Sequence, residues 1–446
     1  MGVGVLFALL AGPLPARSAT SGADAAELRT LVEELQHEVA LLQRKLEVQQ
    51  EDQARTSGAP LVGAGPDGFT LRSPDKAYEL KLRGYTHFDG RTFIEEDGSN
   101  TNTFLFRRIR PLLEGTLGGS VDFRIMPDFA GSQLSLQDAF VNLRGVPWAN
   151  LQAGKYKAPF GLERLQSATA LLFPERALPT NLVPNRDLGL MLHGSLGEGI
   201  LQYQLAFSNG VVDGGSADLD PSDGKDVVAR VFAQPFQDRT EGWLSGLGVG
   251  VAFDYGATDG GGSTPSYRTA GQSVFFAYQS GTQQGDHRLR YSPQLSYTWG
   301  PFGLLGEYVS STTGVRRQGN DAELENRAWQ VAASWVLTGE NASYRGVQPL
   351  EDFSLEKGSF GALEVAARAN ELRIDPDAFD DGFALATASA RRARAFGVGT
   401  NWYLNRWTKL MFAYERTFFQ DGAGSVGNVS DRDDESVFFM RTQLSF

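Results

Sequence analysis

Residues 78–94 read YELKLRGYTHFDGRTFI. Tyr78, Leu80, Leu82, Gly84, Thr86 and Phe88 fall on one face, and Glu79, Lys81, Arg83, His87, Asp89 and Arg91 on the other. Successive side chains of a strand point to opposite faces, so the alternation predicts one long strand with an apolar and a charged side. The same pattern runs through RLRYSPQLSYTW (288–299), NRAWQVAASWVL (326–337) and VFFMRTQLSF (437–446). A soluble sandwich also alternates, but its strands average about five or six residues. Strands of about ten residues, apolar outside and polar inside with aromatic ends, describe a barrel that crosses an outer membrane.

Working outward from these segments, seventeen candidate strands lie between residue 78 and Phe446. A single-chain bacterial barrel takes an even number. The tight turns Gly118-Gly119, Gly197–Gly199, Gly300-Pro301 and Asn405-Arg406 fall on one side only if 272–280 is an excursion inside an outer loop. The expected fold is therefore all-β, a 16-stranded antiparallel transmembrane barrel over 78–446. A terminal aromatic on an alternating strand, here Phe446, resembles the C-terminal signal read by barrel-assembly machinery.

The N-terminal part has a different period. Val3 to Leu10 form a short apolar run followed by small residues and prolines, which reads as a signal peptide over 1–23, cut after Ala23 or Ala19. Leu28, Leu35 and Leu42 recur every seven residues with Val32, Val39 and Leu46 between them. That heptad seam predicts an α-helical coiled-coil arm over 24–56. Residues 57–77, rich in Gly, Ala and Pro, are expected to be a linker.

Composition narrows the function. Asp+Glu number 53 against 41 Lys+Arg, a net charge of −12 that argues against a nucleic-acid partner. There is no cysteine, and the four histidines are scattered, so neither a metal site, a cofactor nor an enzyme's catalytic set is expected. His193 near Ser195 is the one local hint of a hydrolase.

Several segments together resemble the phosphate-selective porin O/P family. They are FLFRRIRPLLEG (104–115), LQDAFVNL (136–143), LQAGKYKAPFGLE (151–163), FPERAL (173–178), NRDLGLMLHG (185–194) and GALEVAAR (361–368). Gly300-Pro301 with Glu307-Tyr308, LTGE (337–340) and the final Phe446 complete the series. The resemblance implies a homotrimer of sixteen-stranded barrels in the bacterial outer membrane. It also implies an inner loop that narrows a pore lined by arginine and lysine. The charged heptad arm departs from that pattern, and lysine is scarce, which favours general anion preference over phosphate specificity.

Strand phase nominates the lumen residues. Inward cations are Lys81, Arg83, Arg91, Arg108, Arg110, Arg124, Arg144, Arg230, Arg288, Arg290, Arg368 and Arg441. Inward acids are fewer: Glu79, Asp89, Glu114, Asp122, Asp128, Asp138, Glu307 and Glu364. Arg107 shares the phase of Ile109, Leu113 and Leu117 and is expected to face outward. Alternation fails over 158–186, the expected constriction loop, with Lys155 and Lys157 leading into it and Arg164, Arg176 and Arg186 in it or at its exit. The expected function is diffusion of small anions, phosphate and other oxyanions among them, with the acidic outer loops meeting lipid and lipopolysaccharide. The alternatives are a non-selective porin, or a tether to peptidoglycan through the arm.

Overall fold

The computed structural model describes residues 31–32, 34–35, 37–45, 59–65, 68–94, 100–219, 223–237, 242–258, 260–425 and 428–446. The chain divides into two units, Met1–Pro60 and Leu61–Phe446.

In the larger unit sixteen antiparallel strands follow one another. They are β1 (Glu79–Phe93), β2 (Thr103–Leu117), β3 (Val121–Asp128), β4 (Ser135–Val146), β5 (Ala149–Lys157) and β6 (Arg186–Leu196). Next come β7 (Leu201–Ser208), β8 (Asp226–Ala233), β9 (Gly246–Ala257), β10 (Gln283–Trp299) and β11 (Phe302–Arg317). The series ends with β12 (Asn320–Val336), β13 (Ala362–Arg373), β14 (Arg392–Tyr403), β15 (Thr408–Gln420) and β16 (Glu435–Ser445). Each pairs with its sequence neighbours, and β16 returns to β1 with Val437 opposite Phe93 and Ser445 opposite Tyr85. Closure leaves the wall without an unpaired edge, which a lipid-embedded sheet requires.

The barrel is apolar outside and charged inside. Phe104, Phe253 and Trp335 are about half exposed or more, whereas Arg290 and Arg441 are completely buried. At the end where β1 begins and β16 finishes, Trp299, Phe302 and Trp335 stack in a row with ring centroids 6.4 and 5.7 Å apart, part of an aromatic girdle. Wall height is uneven: β10 and β12 have 17 residues each, and β3, β7 and β8 have 8. Beside the tall strands the outer-loop residues 260–282 and 374–391 pack inward, burying Tyr267, Phe275, Phe276 and Phe383 in one cluster with Phe419 of β15.

In four places the structure bears on the finer sequence reading, departing from it in three and bearing out the excursion at 272–280. Residues 61–72, expected to be linker, form a hairpin of Leu61–Gly65 and Gly68–Arg72 whose second strand pairs with Glu79–Leu82 of β1. It occupies the edge of β1 below the point where β16 stops. The 272–280 excursion is a strand, Val274–Ala277, paired with Ser266–Arg268 outside the barrel sheet. Phe275 and Phe276 are both buried there, so neither face is offered to lipid. Third, the β1–β2 register shifts between His87 and Phe88, which face Arg108 and Phe106, so Arg107 is bulged. A bulge turns two consecutive side chains to one face, and Arg107 joins Arg108 inside the barrel.

The fourth place is the arm. Its described residues are helical over 31–32, 34–35 and 37–45, and no long coiled coil is present among them. Leu31, Val32, Leu35, Val39 and Leu42 stand exposed on this helix. Leu28, Leu46 and the expected signal peptide lie outside the described residues.

Candidate functional site

Between β5 and β6 the chain leaves the wall at Ala158 and folds into the barrel. Phe160, Leu162, Phe173, Leu178, Leu182 and Val183 are buried there. Gly161, at φ 75°, begins the inward turn; a Cβ in its place would lie 2.7 Å from Val183 Cγ1. Four prolines in 158–185 (Pro159, Pro174, Pro179 and Pro184) remove backbone donors that the interior could not satisfy.

The remaining polar backbone is held by side chains of the wall, as non-helical backbone at membrane depth demands. Glu307 of β11 accepts from Leu162 N at 2.6 Å, and Asn370 of β13 from Leu178 N at 3.1 Å. Lys409 of β15 donates to Thr169 O and Leu171 O, each at 3.1 Å. Asn401 of β14 donates to Leu172 O and Arg368 of β13 to Glu175 O. These anchors come from β11 to β15, and β16 adds Arg441 to Pro174 O and Gln443 to Thr169 O. The loop is thus strapped to one side of the barrel, and the open space lies along β1 to β6.

That space is a cavity of about 970 Å³. Eleven basic side chains line it: Arg83, Arg107, Arg108, Arg110, Arg124, Lys157, Arg164, Arg176, Arg186, Arg345 and Arg406. Among the described residues two acidic side chains do, Asp128 and Asp138. Arg110 pairs with Asp128 at 2.7 Å and Arg186 with Asp138 at 2.8 Å. Arg83 and Arg124 share Glu114 at 3.1 and 2.8 Å. By contrast Lys157, Arg164 and Arg176 donate to main-chain carbonyls, of Leu165 and Gln166, of Thr180, and of Glu163 and Gln166 respectively. Among the described residues none of the three has a carboxylate at ion-pair distance. Burial, then the charges of Arg176 and Arg186, push the Arg164 guanidinium down to about 9; an anion arriving here would relieve that repulsion.

Behind the cavity wall Glu175 gathers four arginines. Its Oε1 lies 3.1 Å from Arg91 Nη2, 2.5 Å from Arg107 Nε and 3.5 Å from Arg441 Nη2. Its Oε2 lies 3.2 Å from Arg107 Nη2 and 3.9 Å from Arg108 Nη2. Burial alone would raise the Glu175 carboxyl, but Arg107, Arg108, Arg441 and Arg91 outweigh it and hold it well below the usual carboxylate range.

Of the residues the sequence nominated, Arg83, Arg108, Arg110, Arg124, Lys157, Arg164, Arg176 and Arg186 meet at this cavity. Nine others do not line it. Arg91 and Arg441 belong to the cluster around Glu175, Arg144 pairs with Asp122 at 2.6 Å, Arg230 donates to Gln294 and Gln204, and five more are enclosed. Arg288 is buried against Asp226 at 2.6 Å, and Arg290 against Asp213 at 2.8 Å and Asp254. Arg368 is locked to Glu415 at 2.6 Å, and Lys155 is paired with Asp218. Lys81 sits 3.8 Å from Glu79, beside the 61–72 hairpin. These side chains point inward, but packed loops or the hairpin, not open space, meet them. Three cavity arginines escaped the sequence reading. Arg107 was hidden by the bulge, Arg345 lies in the turn segment 337–361, and Arg406 in the tight turn before β15.

Residues 80–446 match the family described as phosphate-selective porin O and P. Over 428 residues the chain is 25% identical to Porin O of Pseudomonas aeruginosa, covering 88% of this chain and 94% of that protein. Among solved structures, the outer membrane channel DcaP of Acinetobacter baumannii matches with a TM-score of 0.54 at 12% identity, over 83% of this chain and 98% of that one. The anion-selective porin from Comamonas acidovorans matches with a TM-score of 0.51 at 13% identity, over 83% and 100% of the two chains. Those two likenesses speak for the sixteen-stranded fold alone. The family match covers almost the entire barrel, and it makes this chain a non-enzymatic porin of the bacterial outer membrane that belongs to the phosphate-selective porin O and P family.

Proposed function

We propose that the protein passes small anions by diffusion through the basic cavity, with residues 158–185 as the constriction. The observation that carries this reading is the imbalance of eleven basic against two acidic lining residues, three of the cations having only carbonyl partners. Charges of one sign at a narrow, water-accessible passage favour the opposite ion and exclude co-ions. Arginine forks and lysine suit phosphate and other oxyanions, but one lysine lines the cavity, so the reading is general anion preference with oxyanion affinity graded by charge.

The test is the reversal potential of purified protein in planar bilayers under a tenfold potassium chloride gradient. An anion-selective sign supports the reading; a zero or cation-selective potential overturns it. Block of the chloride current by added phosphate would then separate an oxyanion site from simple diffusion.

The working assembly in this proposal is a homotrimer. The exposed stripe of Leu31, Val32, Leu35, Val39 and Leu42 supports it, because three such helices would bury one another's apolar faces. The arm would stand on the periplasmic side, where peptidoglycan is within its reach, while the apolar wall meets lipid and the outer loops meet lipopolysaccharide.

A further inference from the structure

The geometry points to Glu175 as a tethered counter-anion that sets how tightly the constriction holds a passing anion. This deepens the anion-passage reading and rests on it.

Three observations carry the inference. The Glu175 carboxylate touches the two arginines, Arg107 and Arg108, that the open cavity shares, yet it does not itself line that cavity. A permeating anion and Glu175 therefore stand on opposite sides of the same guanidinium groups and compete for them. Second, Arg91 and Arg441 supply more positive charge than the site needs for its own neutrality. Among the described residues the four arginines meet two carboxylates: Glu175, which all four approach, and Asp89, which lies 2.6 Å from Arg441 and 3.9 Å from Arg91. The cluster keeps a net positive charge that an external anion can meet.

The third observation is that the loop does not need this side chain to stay in place. Arg441 donates to Pro174 O and Arg368 to Glu175 O. On the next two residues, Arg176 donates to Glu163 O and Ala177 N to the Glu163 carboxylate. The carboxylate is free to serve as charge rather than as an anchor.

A pore must bind its ion well enough to admit it and weakly enough to release it. Without Glu175 the four arginines would hold a chloride or phosphate ion too firmly. Its fixed negative charge plays the part of an ion already in the site, lowering the affinity for the next one.

The experiment measures single-channel conductance of the full assembled protein as a function of potassium chloride concentration, with wild type, Glu175→Gln, Glu175→Asp and Arg91→Gln side by side. For Glu175→Gln the half-saturating concentration should fall roughly tenfold, as expected for one unit charge a few ångströms behind the site, and inorganic phosphate should block the chloride current at correspondingly lower concentration. Glu175→Asp, which keeps the charge, should stay near wild type. Arg91→Gln should move the half-saturating concentration the other way, because it frees the carboxylate to hold Arg107 and Arg108 more strongly.

Half-saturation that is unchanged in Glu175→Gln, or that moves identically in Glu175→Asp, overturns the inference. If Glu175→Gln does not assemble, Arg91→Gln decides: a value at or below wild type overturns it. The wild-type reversal potential is recorded on the same membranes. A wild-type pore without anion selectivity refutes the anion reading itself, whereas a selective wild type with indifferent variants refutes only the role of Glu175.

Discussion

Replacing Arg176 with glutamine sets a cavity-lining charge against a buried one. Arg176 donates to the carbonyls of Glu163 and Gln166, contacts that glutamine can partly reproduce, so the loop should keep its shape while the passage loses one charge. A unit charge acting on an ion about 5 Å away is worth about 0.8 kcal/mol in bulk water and about 3.3 kcal/mol at an effective dielectric constant of 20. Counter-ions screen the longer-range part, so the aqueous figure is the better guide. Loss of the charge makes the anion less welcome and the cation more so by that amount each. The anion-to-cation permeability ratio should therefore fall roughly tenfold. Arg290→Gln removes the same charge from the same barrel but from a site that does not line the cavity, where Arg290 is enclosed by Asp213 and Asp254. Breaking such a buried pair costs about 3–5 kcal/mol. Its signature should be a lower temperature of unfolding in detergent with the reversal potential unchanged. Equal loss of selectivity in both variants, or loss in Arg290→Gln alone, would show that ions travel elsewhere and that the cavity along β1 to β6 is not the path.

Three further outcomes are expected. Replacing Phe446 with serine removes the ring that packs 6.2 Å from Phe69, while its backbone pair with Gly84 remains; the yield of folded barrel in outer-membrane fractions should drop, with conductance per pore intact. Deleting residues 24–56 should leave the oligomer intact in native gel electrophoresis, because three heptads are marginal alone and the barrel wall has to supply the main contact. Because the Glu175 carboxyl is held far below its ordinary value, its contribution is present above the unfolded pKa and is lost only as pH falls through the depressed folded one. The difference in half-saturation between wild type and Glu175→Gln should accordingly persist at pH 4, and its disappearance there would contradict the four-arginine cage.

How far the sequence could be read depended on the kind of interaction. Alternation along 78–94 and 437–446 places Leu82 outside and Arg441 inside because that pattern is a property of one strand and its surroundings. The parity argument that set 272–280 apart worked for a similar reason: turn lengths are local. What alternation cannot see is what stands opposite an inward side chain. Arg124 and Arg290 look alike in sequence, yet one faces open space and the other faces Asp213, which arrives from 77 residues away in an outer loop. Arg107 failed for another cause, since a bulge is a mismatch between two strands and belongs to neither alone. The 61–72 hairpin reads as linker because its glycines weigh towards flexibility. Its strands are short, and they are ordered by the spare edge of β1.

The uneven wall also decides which part of the molecule the outside world meets. At about 3.3 Å per residue, the 17 residues of β12 make roughly 56 Å of strand, about twice the 8 residues of β3. The tall hairpin β11–β12 closes in two residues, Gln318 at φ 52° and Gly319 at φ 84°, a hairpin turn with the twist of its strands. Seen from the medium, the barrel is a collar cut on a slant, its strands reaching further at β10 to β12 than at β3. Whatever reaches the cell from the medium meets the raised lip of β11 and β12 first, to the side of the cavity along β1 to β6.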